Sequence, residues 1–200
     1  MSIPPDEVQV PDEELLQQAL TARDGDLRAF EQLVLRHQRR ILANCRYLTR
    51  DPNSSEDLAQ EVFVKAYFGL PGFESRASFR HWLQRIKVNH CLNHMKKTHG
   101  QGHPVGIDEE TSEEHSQLRV APDAHRQLEA DSTRRRVDAI LNAMPSTLRL
   151  PLIMRDMDDL PYEEIATALG IGLSAVKMRI RRAREQFRSI YEAVERQGNA

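Results

Sequence analysis

Cysteine is scarce in this chain: Cys45 and Cys91 are the two among 200 residues. Each lies in a stretch of apolar residues at helical spacing, which makes no disulfide framework and fits a reducing compartment. Long apolar runs are missing as well. No stretch reaches the ~18 consecutive apolar residues that mark a membrane-crossing helix. The opening MSIPPDEVQVPDEE is acidic and proline-bearing and lacks the basic and then apolar segments of a secretory signal. A cytoplasmic protein with no direct membrane insertion is expected. Neither charge is in large excess: 28 Lys and Arg face 30 Asp and Glu, a net charge of −2. That excludes a chain basic all over, but contact with phosphates depends on local patches rather than on the sum. Also absent are a nucleophile with a paired base, a glycine loop that could cradle phosphate, and a close acid pair in an apolar setting. No enzymatic activity and no cofactor are expected.

The alternating pattern of a half-buried strand is missing too, and nearly every periodic segment has helical spacing. The spacing predicts an all-α protein of two helical domains joined by a flexible linker. After a tail over 1–12, Leu15, Leu16, Ala19 and Leu20 form a short apolar face that ends at Asp24-Gly25-Asp26. A longer helix carries Phe30, Leu33, Val34, Ile41, Leu42, Cys45 and Leu48 and stops near Pro52, since proline biases its predecessor away from helix. Ser54 or Ser55 is the expected cap of the next helix, which buries Leu58, Val62, Phe63, Ala66 and Tyr67 and closes at Gly69-Leu70-Pro71-Gly72. A loop, FESRAS, leads into a fourth helix with Phe79, Trp82, Leu83, Ile86, Leu92 and Met95. Trp82 reads as core, as a tryptophan in an apolar stripe usually is.

Over 99–128 the composition turns to Gly, Pro, His and Ser with the acids Asp108, Glu109, Glu110, Glu113 and Glu114. Such a segment buries too little to offset its ordering entropy, so a linker is expected there. It separates a first domain over 13–98 from a second over 129–193. The second domain begins with Val137, Ile140, Leu141 and Met144 on one face. A helix over about 146–157 follows, in which Pro151 predicts a kink or a later start.

Residues 162–180, YEEIATALGIGLSAVKMRI, fit a helix-turn-helix. Ile165 and Leu169 supply the buried face of its first helix, and Ala166 is small where the second helix crosses. Gly170 suits the turn, Ile171 plugs the corner, and Ser174 is an expected cap. In the second helix Val176, Ile180, Ala183 and Phe187 recur at one stripe, so Lys177, Met178, Arg181 and Arg182 project outward. The stretch 174–188 holds six basic residues and one acid. A charge run alone usually marks a solvated face, but behind this turn chemistry it is shaped for the major groove of DNA. His90 and His94 have a zinc-compatible spacing with Cys91 between them, but nothing completes a ligand set, and no metal site is expected.

With both halves in view the chain resembles a bacterial RNA polymerase sigma factor of the extracytoplasmic-function class of the sigma-70 family. DLAQEVF at 57–63, FRHWLQRIKVN at 79–89 and YEEIA…AVKMRIRRAR at 162–184 carry the resemblance, in order and with the linker between them. It implies that Asp57, Gln60, Glu61, Phe63 and Tyr67 dock on the clamp helices of the largest polymerase subunit. Gln60 and Glu61 have no internal task legible in the sequence. It implies promoter −10 recognition by Arg76, Arg80, Arg85, Lys87, Asn89 and Asn93, with Lys96 and Lys97 extending the basic surface. It implies −35 contacts by Ser174, Lys177, Met178, Arg181 and Arg182. Met178 stands where the family commonly has a small polar residue, and Arg181 where an aromatic residue or histidine is frequent. The partners so implied are polymerase core, promoter DNA and an anti-sigma factor. An autonomous helix-turn-helix transcription regulator is the alternative reading.

Overall fold

A computed structural model describes residues 10–23, 25–73, 78–98 and 127–198. Eight α-helices account for nearly all of them, with no strand among the described residues. They are α1 (Asp12–Thr21), α2 (Arg28–Thr49), α3 (Pro52–Gly69), α4 (Phe79–Thr98), α5 (Gln127–Ala143), α6 (Ser146–Leu152), α7 (Tyr162–Leu169) and α8 (Leu173–Gly198). Among the described residues no helix is long and apolar enough to cross a membrane. The linker expected over 99–128 lies outside the described residues up to its last two positions.

The first domain is built around α2, whose fully buried Leu33, Ile41, Cys45 and Leu48 meet α1, α3 and α4. Each such aliphatic side chain stabilises by about 1.5–3 kcal/mol relative to exposure. Cys45 and Cys91 meet in this core with their sulfurs 3.6 Å apart, as free thiols. The hydrogen bond between them and their burial push the Cys91 thiol well above its usual range. Trp82 packs on Phe73 and Phe79, as expected, and Gly69 leaves it room.

The cap of α3 differs from expectation. Asp51, not Ser54 or Ser55, accepts the backbone N–H groups of Asn53 (3.0 Å) and Ser54 (3.3 Å). Pro52 takes the first helical position, where its missing N–H costs nothing, so the helix starts earlier than the serines suggested. The Ser54 hydroxyl and these N–H groups hold the Asp51 carboxyl below its usual range.

In the second domain Ile140, Leu141 and Met144 of α5 are buried, with α5 against α8, which packs in turn on α6 and α7. Pro151 neither stops α6 nor delays its start. Two residues after it the chain widens into a π-helical turn over Ile153–Met157, closed by the Asp158 N–H on the Ile153 carbonyl at 3.1 Å. That turn ends at Asp158 and Asp159, the latter in left-handed backbone at φ 60°.

The two domains meet along polar contacts. Buried Arg149 reaches the Leu48 carbonyl at the C-terminal end of α2 (3.3 Å), and Arg50 donates to the Met144 carbonyl just past α5. A guanidinium suits a helix C-terminus because the carbonyls there carry the negative end of the dipole. Tyr47 donates to Asp138, and Arg40 to the Met157 carbonyl.

Candidate nucleic-acid interface

The helix-turn-helix forms from the residues expected. Pro161 precedes α7 in extended backbone, and Glu163 and Glu164 occupy its first turn, where acids face the positive end of the dipole. Gly170 closes α7 at φ 68°, and the Ile171 N–H returns to the Ala166 carbonyl at 3.1 Å. Only glycine adopts that backbone without strain. Ser174 is not the cap: α8 begins at Leu173, and the Val176 N–H bonds the Gly172 carbonyl at 3.1 Å. Ser174 therefore sits exposed in the first turn.

Along α8, Val176, Ile180 and Ala183 are buried and Phe187 is partly buried, so the opposite side faces solvent. Lys177, Arg181 and Arg182 are exposed there beside Met178, itself 52% exposed. Arg181 pairs with Glu185 at 3.1 Å, and Arg184 grips Asp156 at 2.5 Å. Among the described residues Lys177 and Arg182 have no ion-pair partner. Their charge is available to phosphates or to guanine edges, which Arg addresses with two parallel hydrogen bonds.

The structure divides the residues expected to serve −10. Asn89 and Asn93 are exposed on α4 and line, with Arg85 and Lys96, a cleft of about 520 Å³ whose far wall is Glu163, Glu164 and Thr167 of α7. Arg80 pairs with Asp159 (2.9 Å), and Arg85 faces Glu164 (3.6 Å). Lys87 is a correction: it is fully buried, with its ammonium 2.5 Å from Asp158, which also accepts from Asn44. Sequence periodicity could not show this, because α4 is covered on one side by α2 and α3 and on another by the second domain. Burial pushes the Asp158 carboxyl above its usual range, and Lys87 acts in the opposite direction. Arg76 lies outside the described residues.

On α3, Asp57, Gln60 and Glu61 are exposed, and Tyr67 is 40% exposed. Phe63 is 8% exposed and part of the core, as its place in the apolar stripe predicts but a docking role in the free chain does not. Tyr67, expected in the same buried stripe, is the one that departs from it. Phe63 follows buried Ala59 by four residues and precedes buried Ala66 by three, which puts it on the inner arc of the helix. Glu61 does have an internal partner, the His90 ring of α4 at 2.9 Å. Two side chains on the outer face had no signal in the motif: Val64 is 53% and Phe68 77% exposed. With Asp57, Gln60 and Glu61 they make one stripe at helical spacing, acidic and polar at the start and apolar at the end.

Comparison with known proteins supports both halves. The Sigma-70 region 2 family matches residues 33–100, and the Sigma-70, region 4 family matches 134–187. The RNA polymerase sigma-H factor of Pseudomonas aeruginosa is 34% identical over 165 residues, spanning 80% of this chain and 85% of that protein. The ECF RNA polymerase sigma-E factor of Escherichia coli K12 is 32% identical over 181 residues, spanning 86% and 93%. The solved structure of CnrH in complex with the cytosolic domain of CnrY is similar with a TM-score of 0.56 and 25% identity, over 91% of this chain and 97% of that one. The sigma factor RpoE of Bartonella quintana, solved with the anti-sigma factor NepR, shares the fold at a TM-score of 0.55 and 23% identity, over 82% of this chain and 96% of that one.

Proposed function

The chain belongs to the extracytoplasmic-function class of the sigma-70 family, and from that premise we propose how its surfaces divide the work of promoter-specific transcription initiation. The unit over 13–98 docks on RNA polymerase core through the outer face of α3. Asp57, Gln60 and Glu61 supply charge and hydrogen bonds, and Tyr67, Val64 and Phe68 supply apolar area. The α4 surface, with Arg80, Arg85, Asn89, Asn93 and Arg76 in the loop before it, reads the −10 element as an unpaired strand. Cations there offset backbone charge while amides bond base edges.

The unit over 129–193 lays α8 in the major groove at −35. Lys177, Arg181 and Arg182 face phosphates and guanine edges, with Ser174 at the helix start and Met178 in apolar contact. The linker over 99–128 lets the two grips reach elements separated along the promoter. Bond making is left to the polymerase, and the protein works in the cytoplasm. An anti-sigma factor that covers these faces holds it inactive; complexes with protein partners among its structural relatives support this.

The observation that carries the reading is that one chain pairs an outward cationic helix-turn-helix with an exposed stripe on α3 that its own core does not use. The test is reconstitution with core polymerase on genomic promoter fragments. Transcripts with defined start sites are expected only when the chain is present. Failure to co-purify with core, together with tight promoter binding by the chain alone, would instead identify an autonomous regulator.

A further inference from the structure

At about 100° of turn per residue, Val176, Ile180, Ala183 and Phe187 all fall within about 40° of the direction opposite Met178. Met178 is therefore the crest of the outward face of α8, and it is 52% exposed. Ser174 and Arg182 lie about 40° to either side of that crest, while Lys177 and Arg179 lie on the flanks at about 100°. A helix is nearly as wide as the major groove, so it turns its crest to the base edges on the floor and its flanks to the phosphate walls. Two of the nearby arginines are already engaged, Arg181 by Glu185 and Arg184 by Asp156. The crest thus offers a hydroxyl, one apolar side chain and the unpaired guanidinium of Arg182. The floor of the groove carries a single kind of apolar group, the C5 methyl of thymine. We infer that Met178 sets the base preference of this chain at −35 by reading the C5 methyl of a thymine, with a guanine for Arg182 one or two base pairs along.

The inference rests on the placement of α8 in the major groove at −35 and adds the base that it seeks there. Met178 suits the task because its side chain is unbranched and its thioether is polarisable, so it conforms to a small apolar surface. No neighbour can take its place. Ser174, Lys177 and Arg182 end in polar groups, and Leu173, also exposed, lies about 140° round the helix from the crest. The spacing to the guanine follows from the helix itself. Arg182 is four residues on, about 6 Å along the axis, and base pairs follow one another at about 3.4 Å. Thymine differs from uracil by the C5 methyl alone, so contact with that methyl can be removed while pairing and phosphate contacts stay as they are.

The test uses holoenzyme reconstituted from core polymerase and the full chain. Selection from a promoter pool randomised over the −35 segment gives the preferred sequence. Each thymine of either strand is then replaced singly by deoxyuridine, and competition binding reads the effect. One replacement should weaken binding by about fourfold, the factor that corresponds to withdrawing one buried methyl group, and the others should change it little. A guanine is expected one or two base pairs from that thymine. With Met178→Ala, which alters only an exposed side chain, thymine and deoxyuridine should bind alike at the sensitive position. Deoxyuridine tolerated at every position, or a preferred segment without thymine, overturns the inference and leaves the −35 reading standing. A loss on deoxyuridine that persists in Met178→Ala also overturns it, since another group then reads the methyl. A sensitive thymine with no guanine near it overturns the part given to Arg182. Holoenzyme that shows no base preference anywhere in the segment refutes the −35 reading and this inference together.

Discussion

Replacing Phe68 by alanine separates docking on polymerase from stability of the fold. Phe68 is 77% exposed at the end of α3 and touches the edge of Tyr67, with ring centroids 5.5 Å apart. Most of its apolar surface is thus in water in the free chain, and its burial remains to be gained in a complex. Full burial of such a side chain yields about 1.5–3 kcal/mol, so Phe68→Ala should weaken binding to polymerase core by about 10- to 150-fold. Because little internal packing is lost, stability should change by no more than about 0.5 kcal/mol. Phe63→Ala is the contrast. That side chain is 8% exposed, and its loss should cost about 3–5 kcal/mol of stability through the cavity it leaves. Its effect on binding would then follow from a larger unfolded fraction. Fluorescence competition for core polymerase, paired with chemical denaturation of each variant, reads both quantities. Unchanged affinity for Phe68→Ala would refute the assignment of the outer stripe. A loss of stability comparable to that of Phe63→Ala would show that Phe68 packs within the molecule.

Arg182→Ala should weaken binding to a −35 duplex by about 1–3 kcal/mol and relax base choice at one position if the guanidinium pairs a guanine; a uniform loss across sequences, read in a mutant-promoter panel, marks a phosphate contact instead. Gly170→Ala faces open space, so only its φ of 68° matters, and urea denaturation should show a loss of about 1–2 kcal/mol. His90 has its ring pushed below the usual 6.5 by burial, with Glu61 opposing. Its protonation favours the unfolded chain, so its contribution is intact above that value and declines as pH falls from it toward the lowered folded value. Glu61→Gln removes the opposing charge and should lower the His90 midpoint further in an NMR titration; a rise would refute the pairing.

Most of the helices were legible because each has one face that water must not reach, and the 3.6-residue period records it. The helix-turn-helix was legible for a stronger reason. Gly170, Ile171 and Val176 serve a turn whose geometry admits few side chains, so identity as well as polarity carries information. Phe63 received two roles, core by its period and docking by the motif, because a motif names residues without regard to face. Asp51 was missed as a cap because Pro52 read as the end of one helix, and its role as the first residue of the next was hidden behind that.

Lys87 was illegible for a different reason, and that reason bears on how the molecule works. A lysine in a basic helix is solvated unless another body covers it, and here the cover comes from residues 71 positions away along the chain. The covering interface has a buried ion pair at its centre and arginines on helix ends around it, beside the apolar Val88, Leu92 and Leu160. Replacing a buried pair by packed apolar residues is often neutral or stabilising, because desolvation offsets much of the attraction. Separated into water or onto phosphates, the same charges recover their solvation, so such a contact costs little to open as a whole. Removing one partner, in contrast, leaves a charge stranded.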